Sequence, residues 1–125
     1  MTVASSALDA AERLFAAIQA GDIAAITDLY DPDVRIWHNY DGIDQTRDEN
    51  LRILGWMAKN VRDLRYEDIR RDEIPGGFVQ RHVLYGTGPG GQAFAMPACL
   101  FGFVRDGRIV RIEEYLDSAQ TAALR

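Results

Sequence analysis

Two histidines and one glutamate are placed where side-chain type and spacing could support chemistry. His38 closes the run Val34-Arg35-Ile36-Trp37-His38, in which Val34, Ile36 and His38 share one face of a short strand. A titratable ring therefore ends an apolar row just before a turn. Glu114 falls in the row Val110, Ile112, Glu114 and Leu116, the more apolar of the two rows in the last strand, where a carboxylate is costly unless paired or used. His82 belongs to the row Phe78, Gln80, His82 and Leu84. Periodicity does not choose between that row and Val79, Arg81, Val83 and Tyr85, since each carries polar members. A histidine beside a carboxylate can act as a general base, because the carboxylate orients the ring and an unperturbed pKa of about 6.5 suits neutral pH. The competing reading is structural, with the three side chains satisfying one another or Tyr and Arg partners in a polar core network.

Other chemistries find less support. Two histidines and a carboxylate could ligate a metal, but no H-x-x-E or H-x-x-x-H spacing occurs, so no metal site is expected. Cys99, the single cysteine, cannot form an intramolecular disulfide, and in an apolar strand it reads as a small core residue. Lys59 is the only lysine and sits near a helix end, where a cation complements the dipole. Gly86-Thr87-Gly88-Pro89-Gly90-Gly91 fits G-x-G-x-x-G, yet phosphate binding needs a helix after the glycines, and an apolar strand follows here. No cofactor is required by any pattern in the chain. Trp37 and Trp56 suit core or interface positions, although Trp56 could line a pocket.

The elements that must position these residues follow from changes of period. Ser6 with Asp9 reads as a helix cap, and Leu8, Ala11, Leu14, Phe15 and Ile18 recur at helical spacing until Gly21. Asp22 caps a second helix with Ile23, Ile26, Leu29 and Tyr30 on one face, which Asp31-Pro32 stops, and strand one follows at Val34. After the Tyr40-Asp41-Gly42 turn, Thr46 and Glu49 form a capping box for a third helix, with Ile53, Leu54, Met57 and Val61 on a common face. Strands then run from Leu64 to Ile74, Phe78 to Thr87, Ala93 to Arg105 and Arg108 to Leu116, separated by glycine turns, of which Asp106-Gly107 is the strongest hairpin signal. Ser118 to Leu124 reads as a terminal helix. Helices first and a meandering antiparallel sheet after give an α+β fold, and residues 1–125 suffice for one domain.

The chain has 125 residues, 47% of them hydrophobic, and a formal net charge of -5, with acids and arginines interspersed. No basic footprint for phosphates is present, so no nucleic acid is expected as a partner. Met1 to Ser6 carries no basic start, and the most apolar run, Ala93 to Val104, is broken by Pro97 and Gly102, short of the roughly 20 residues a membrane span needs. A soluble cytoplasmic protein with no membrane partner is the expectation. Both rows of the strand from Ala93 are apolar: Phe94, Met96, Ala98 and Leu100 on one, Pro97, Cys99, Phe101 and Phe103 on the other. Both faces must then be covered, one by the helices and the other by a second copy, which predicts a homodimer through the sheet.

The order of elements and three local stretches resemble the nuclear transport factor 2-like superfamily, in its SnoaL-like and ketosteroid isomerase-like branches. The stretches are Ala16-Ala17-Ile18-Gln19-Ala20-Gly21-Asp22, Leu29-Tyr30-Asp31-Pro32-Asp33-Val34 and the closing Asp106 to Asp117. The resemblance implies a cone-shaped, curved, mixed but mostly antiparallel sheet wrapped around three N-terminal helices, a cystatin-like α+β barrel, usually dimeric, with a pocket for an apolar small molecule. Within the isomerase pattern, His38 falls where those enzymes place their carboxylate base, while Leu14 replaces the phenol donor of the first helix and Cys99 replaces the protonated acid of the fourth strand. Steroid isomerisation is thereby disfavoured, since that oxyanion hole is missing. The limonene epoxide hydrolase-like branch matches Glu114-Tyr115 to its final-strand carboxylate and turns its Arg and Asp into Gln80 and His82. That match directs Gln80, His82 and Leu84 inward.

His38, His82 and Glu114 are therefore the candidate catalytic residues, with Gln80, Leu14, Trp56, Tyr40 and Cys99 expected at the substrate. Two functions from different classes follow. One is a cofactor-free enzyme of isomerisation, cyclisation or hydration on an apolar polyketide-, terpenoid- or steroid-like compound. The other is a non-catalytic small-ligand-binding dimer of the same fold.

Overall fold

The computed structural model describes residues 6–124, so the reading of Met1 to Ser5 and the capping side chain of Ser6 lie outside the described residues. Helix α1 runs Ser6–Ala20 and α2 Ile23–Leu29, followed by strand β1 Tyr30–His38, the two-residue β2 Asp44–Gln45 and helix α3 Arg47–Asn60. Four long strands complete the sheet: β3 Arg62–Ile74, β4 Gly77–Thr87, β5 Ala93–Arg105 and β6 Arg108–Leu116. A 3-10 helix, Ser118–Leu124, follows.

The local signals act as their chemistry requires. Gly21, at φ 70, ends α1 with its N–H on the Ile18 carbonyl and the Asp22 N–H on that of Ala17, the pattern of a glycine C-cap. Asp22 then accepts from the Ala25 N–H to start α2. At α3 the Thr46 hydroxyl accepts from the Glu49 N–H while the Glu49 carboxylate accepts from the Thr46 N–H, a complete capping box. Asp106 and Gly107, both at positive φ, form the hairpin turn between β5 and β6. The glycine-rich Gly86 to Gly91 stretch ends β4 and leads into strand β5, not into a helix.

The sheet order is β2-β1-β6-β5-β4-β3, antiparallel throughout except that β1 lies parallel to β6. The meander of β3 to β6 thus gains β1 at its open side, giving a mixed, curved, unclosed sheet. Strand β3 is irregular at two places, where Asp63 (φ 54) and Asp68 (φ 56) coincide with the two register shifts against β4. Aspartate tolerates the left-handed region, so these are bulges that turn the strand.

The helices cover the concave face, where Leu14 and Phe15 of α1 and Ile26 of α2 pack with Phe78, Leu100, Ile109 and Ile112. Glycine is required at Gly102, where a Cβ would lie 2.3 Å from the Phe78 ring. Strand β1 begins at Tyr30, four residues before the expected start at Val34, because the chain leaves the helix at Tyr30 (ψ 131) and pairs there with Ile109. Pro32, which has no N–H to donate, falls in the irregular stretch of that pairing. In β6 a register shift after Phe103 buries Ile109 instead of Val110, and the expected inward row resumes at Ile112.

Candidate functional site

Parallel pairing of β1 with β6 sets His38 directly beside Glu114. Same-face neighbours on adjacent strands lie about 4.8 Å apart along the hydrogen-bonding direction, within reach of each other's side chains. His38 Nε2 meets Glu114 Oε1 at 3.0 Å, with both side chains largely withdrawn from solvent. The backbone beyond the pair is fixed as well: the Asn39 N–H donates to the Glu114 carbonyl, and Asn39 Oδ1 accepts from the Leu116 N–H, each at 3.0 Å. On its other flank Glu114 pairs with Leu100 of β5. With Nε2 engaged by the carboxylate, the remaining ring nitrogen is Nδ1, which is buried and has no hydrogen-bond partner among the described residues. An unmet buried acceptor or donor costs about 1–3 kcal/mol, a cost that a bound polar group would relieve.

The dyad opens on a cavity of about 160 Å³ on the concave side of the sheet, beneath α3 and the 3-10 helix. Its walls are unequal. Helix α1 and strands β4 and β5 contribute Leu14, Phe15, Ile18, Leu84, Met96 and Leu100, all apolar, whereas β1, β2, β6 and the start of α3 bring His38, Gln45, Glu114 and Asn50. Tyr30, where the chain enters β1, donates its hydroxyl to Asn50 Oδ1 at 2.8 Å, and Asn50 Nδ2 donates to Gln45 Oε1 at 3.0 Å. Asn50 is the buried residue of α3, so this relay ties that helix to the sheet. Tyr66 of β3 also lines the cavity. Burial first, and then the charge of Glu114, raises the pKa of both phenols, so Tyr30 and Tyr66 stay protonated as donors through neutral pH.

His82 occupies a second layer. Gln80, His82 and Leu84 do point inward, the row that resemblance had selected and periodicity had not. Yet Gln80 and His82 are not among the cavity-lining residues; His82 packs edge to face against Tyr66, with 4.7 Å between ring centroids, and at a tilt against Phe15, at 5.5 Å, and those two rings reach the cavity. Arg71 Nε donates to Gln80 Oε1 at 2.6 Å, which turns the Gln80 amide N–H toward His82 Nδ1 at 2.9 Å. Nδ1 must therefore accept, leaving the neutral ring with its proton on Nε2. Burial lowers the His82 pKa below 6.5, opposed by Glu114 and reinforced by Arg71. His82 is thus a neutral packing partner of the cavity wall rather than a member of the His38–Glu114 contact.

The other expected substrate residues divide. Leu14 and Tyr40 line the cavity, and the Tyr40 ring lies 5.3 Å from that of His38. Trp56 does not: it is absent from the lining, to which α3 contributes Asn50, Leu54, Met57 and, at the exposed rim, Ile53. Cys99 also departs from expectation, because strand alternation gives the concave face to Ala98 and Leu100 and turns Cys99 outward, beside Arg81 and Tyr115. Among the described residues no group of three or more His, Cys, Asp or Glu side chains could hold a metal ion. Sequence reasoning missed Tyr30, Asn39, Asn50 and Tyr66. Asn50 carried a signal, a polar residue on the helical stripe that continues through Ile53, Leu54 and Met57.

Comparison with known proteins agrees with this architecture. A candidate polyketide cyclase from Xanthomonas campestris shares 22% identity, covers 96% of this chain and 97% of its own, and superposes with a TM-score of 0.81. IdmH, a candidate polyketide cyclase from Streptomyces antibioticus, shares 22% identity over 94% of this chain and 96% of its own, with a TM-score of 0.79. A candidate isomerase from Bacillus subtilis, 17% identical over 98% of this chain and 95% of its own, reaches 0.82. At these identities the likeness establishes the fold. No curated protein matches the chain by sequence. The family profile described as SnoaL-like domain matches residues 11–112, more than half of the sequence. The chain belongs to the SnoaL-like domain family.

Proposed function

We propose that this protein is a cofactor-free enzyme that moves a proton on an apolar ring compound, with His38 as general base and Glu114 orienting it. The observation that carries this reading is the 3.0 Å contact between His38 Nε2 and Glu114 Oε1 at the wall of an apolar cavity, with Nδ1 lacking a hydrogen-bond partner among the described residues. Glu114 accepts from Nε2–H, which fixes the tautomer and leaves the Nδ1 lone pair as the proton acceptor, reached when the ring shifts far enough to expose it. The carboxylate then stabilises the imidazolium that forms. Tyr66, a protonated donor lining the same cavity, is available to hydrogen-bond an oxygen on which charge develops, whereas the single Tyr30 proton is already donated to Asn50 Oδ1. Isomerisation, cyclisation and hydration or hydrolysis all use such a step, and the polyketide cyclases of similar fold suggest a ring-bearing substrate.

A homodimer in the cytoplasm is part of the same proposal. Its support is the convex sheet face, where Val83, Pro97, Cys99, Phe101, Phe103 and Tyr115 are half-buried or exposed and no helix among the described residues covers them. Among the described residues no helix is long and apolar enough to cross a membrane. Sedimentation equilibrium tests the dimer, and a monomer at micromolar concentration would refute it.

For the catalytic reading, a panel of uncharged ring ketones, epoxides and lactones is screened for turnover. His38→Ala and Glu114→Gln are then compared with wild type on any substrate found. Loss of turnover with ligand binding kept is expected. Wild-type rates in both variants would sink the catalytic reading and leave the non-catalytic binder of the same fold.

A further inference from the structure

The cavity behind the dyad has a size and a charge pattern that narrow its ligand beyond an apolar ring compound. At about 160 Å³ it is close to the roughly 150 Å³ of a cavity that takes up benzene, and well below the roughly 300–1,000 Å³ of sites for drug-sized ligands. The cavity is open on one side, so two or more fused rings would leave part of the ligand outside the mouth or need the walls to separate. Among the described lining residues none is Arg or Lys; the ionisable groups are Glu114, His38 and the phenols of Tyr30, Tyr40 and Tyr66. Arg71 comes within 5.8 Å of the Phe15 ring centroid, but it lies outside the lining and its Nε donates to Gln80. A carboxylate or phosphate on the ligand would thus be desolvated beside Glu114 with no Arg or Lys in the lining to offset it. Most hydrogen-bonding groups lie on β1, β2, β6 and α3, with Tyr66 of β3, Tyr40 and Thr121 the others, while α1, β4 and β5 present only apolar side chains, so a ligand with few polar atoms fits and one polar all round does not.

We infer that the cavity takes single-ring, uncharged substrates carrying one hydroxyl or carbonyl oxygen and rejects their carboxylate counterparts. This selectivity rests on the cavity being the substrate site.

The test is equilibrium binding at pH 7.5 of benzyl alcohol, cyclohexanone, benzoate and 2-naphthalenemethanol to the intact chain. Methyl NMR of Ile36 and Ile112 reports where each probe sits. Benzyl alcohol and cyclohexanone are expected to bind at least tenfold more tightly than benzoate and more tightly than the naphthalene alcohol, shifting both methyls. Glu114→Gln is expected to narrow the gap to benzoate. Benzoate binding as well as benzyl alcohol, the fused-ring probe binding best, or shifts that spare Ile36 and Ile112 would each overturn the inference. The outcome is separable from that of the catalytic reading. The binding order can hold while His38→Ala turns over substrate normally, in which case the base assignment fails and the selectivity stands. It can also fail while His38→Ala abolishes turnover, in which case the base assignment stands and the selectivity falls.

Discussion

Replacing Tyr30 by Phe and Asn50 by Leu, singly and together, tests whether α3 is held over the cavity by the relay described above. Tyr30 is 2% exposed and Asn50 6%, and their 2.8 Å hydrogen bond is the contact of the buried side chain of α3 with β1. In Tyr30→Phe the Asn50 carbonyl loses its donor, and in Asn50→Leu the Tyr30 hydroxyl loses its acceptor. Each leaves a buried polar group unpaired, at about 1–3 kcal/mol. The double variant leaves neither, because Gln45 is half exposed and regains water. Substituting both partners by apolar groups of similar shape is nearly neutral, so the double variant should lie within about 1 kcal/mol of wild type and the cycle should show about 1–3 kcal/mol of coupling. The assay is urea unfolding of the four proteins, read as a shift of midpoint at constant slope. Single-variant losses that simply add, to within about 0.5 kcal/mol, would show that water in the cavity already satisfies these groups and that the relay does not hold the helix.

Three further outcomes follow from the structure. His82 has a lowered folded-state pKa, so the unfolded chain takes up its proton first as pH falls. Its contribution to stability is complete above about pH 6.5 and is lost as pH drops toward the folded value, and His82→Leu should flatten that part of a stability-against-pH curve. Gly102→Ala would place a methyl 2.3 Å from the fully buried Phe78 ring and should cost about 1–3 kcal/mol in thermal or urea unfolding. Thr46→Ala removes the hydroxyl half of the α3 capping box and should cost about 1 kcal/mol in the same assay, with the sheet intact by circular dichroism.

Much of this architecture was legible in the sequence because each element carried a local instruction. Gly21, Asp22, the Thr46 and Glu49 box and Asp106-Gly107 act within four residues of themselves, and the structure uses each as read. The bulges at Asp63 and Asp68 were not legible, since they depend on how β3 must bend to follow β4. The candidate site shows the same division. Period-two alternation aligned His38 with Val34 and Ile36, but only the parallel register of β1 on β6 sets it beside Glu114. His82 faces inward as resemblance implied, yet the rings of Phe15 and Tyr66, distant in sequence, stand between it and the cavity. Analogy with a family position puts Cys99 at the substrate. The strand's own alternation, with Ala98 and Leu100 inward, turns it to the opposite face.

Whether His38 and Glu114 act as one catalytic unit is tested most directly by a double-mutant cycle in kcat/KM. On a substrate identified by the screen, His38→Ala should lower kcat/KM by about 10²–10⁴-fold, the usual contribution of a general base. Glu114→Gln should lower it as well, and the double variant should be no slower than His38→Ala alone, because a carboxylate that works through the ring has nothing left to orient. Two losses that multiply would show that the residues act independently. A His38→Ala enzyme within twofold of wild type would contradict the assignment of His38 as the base.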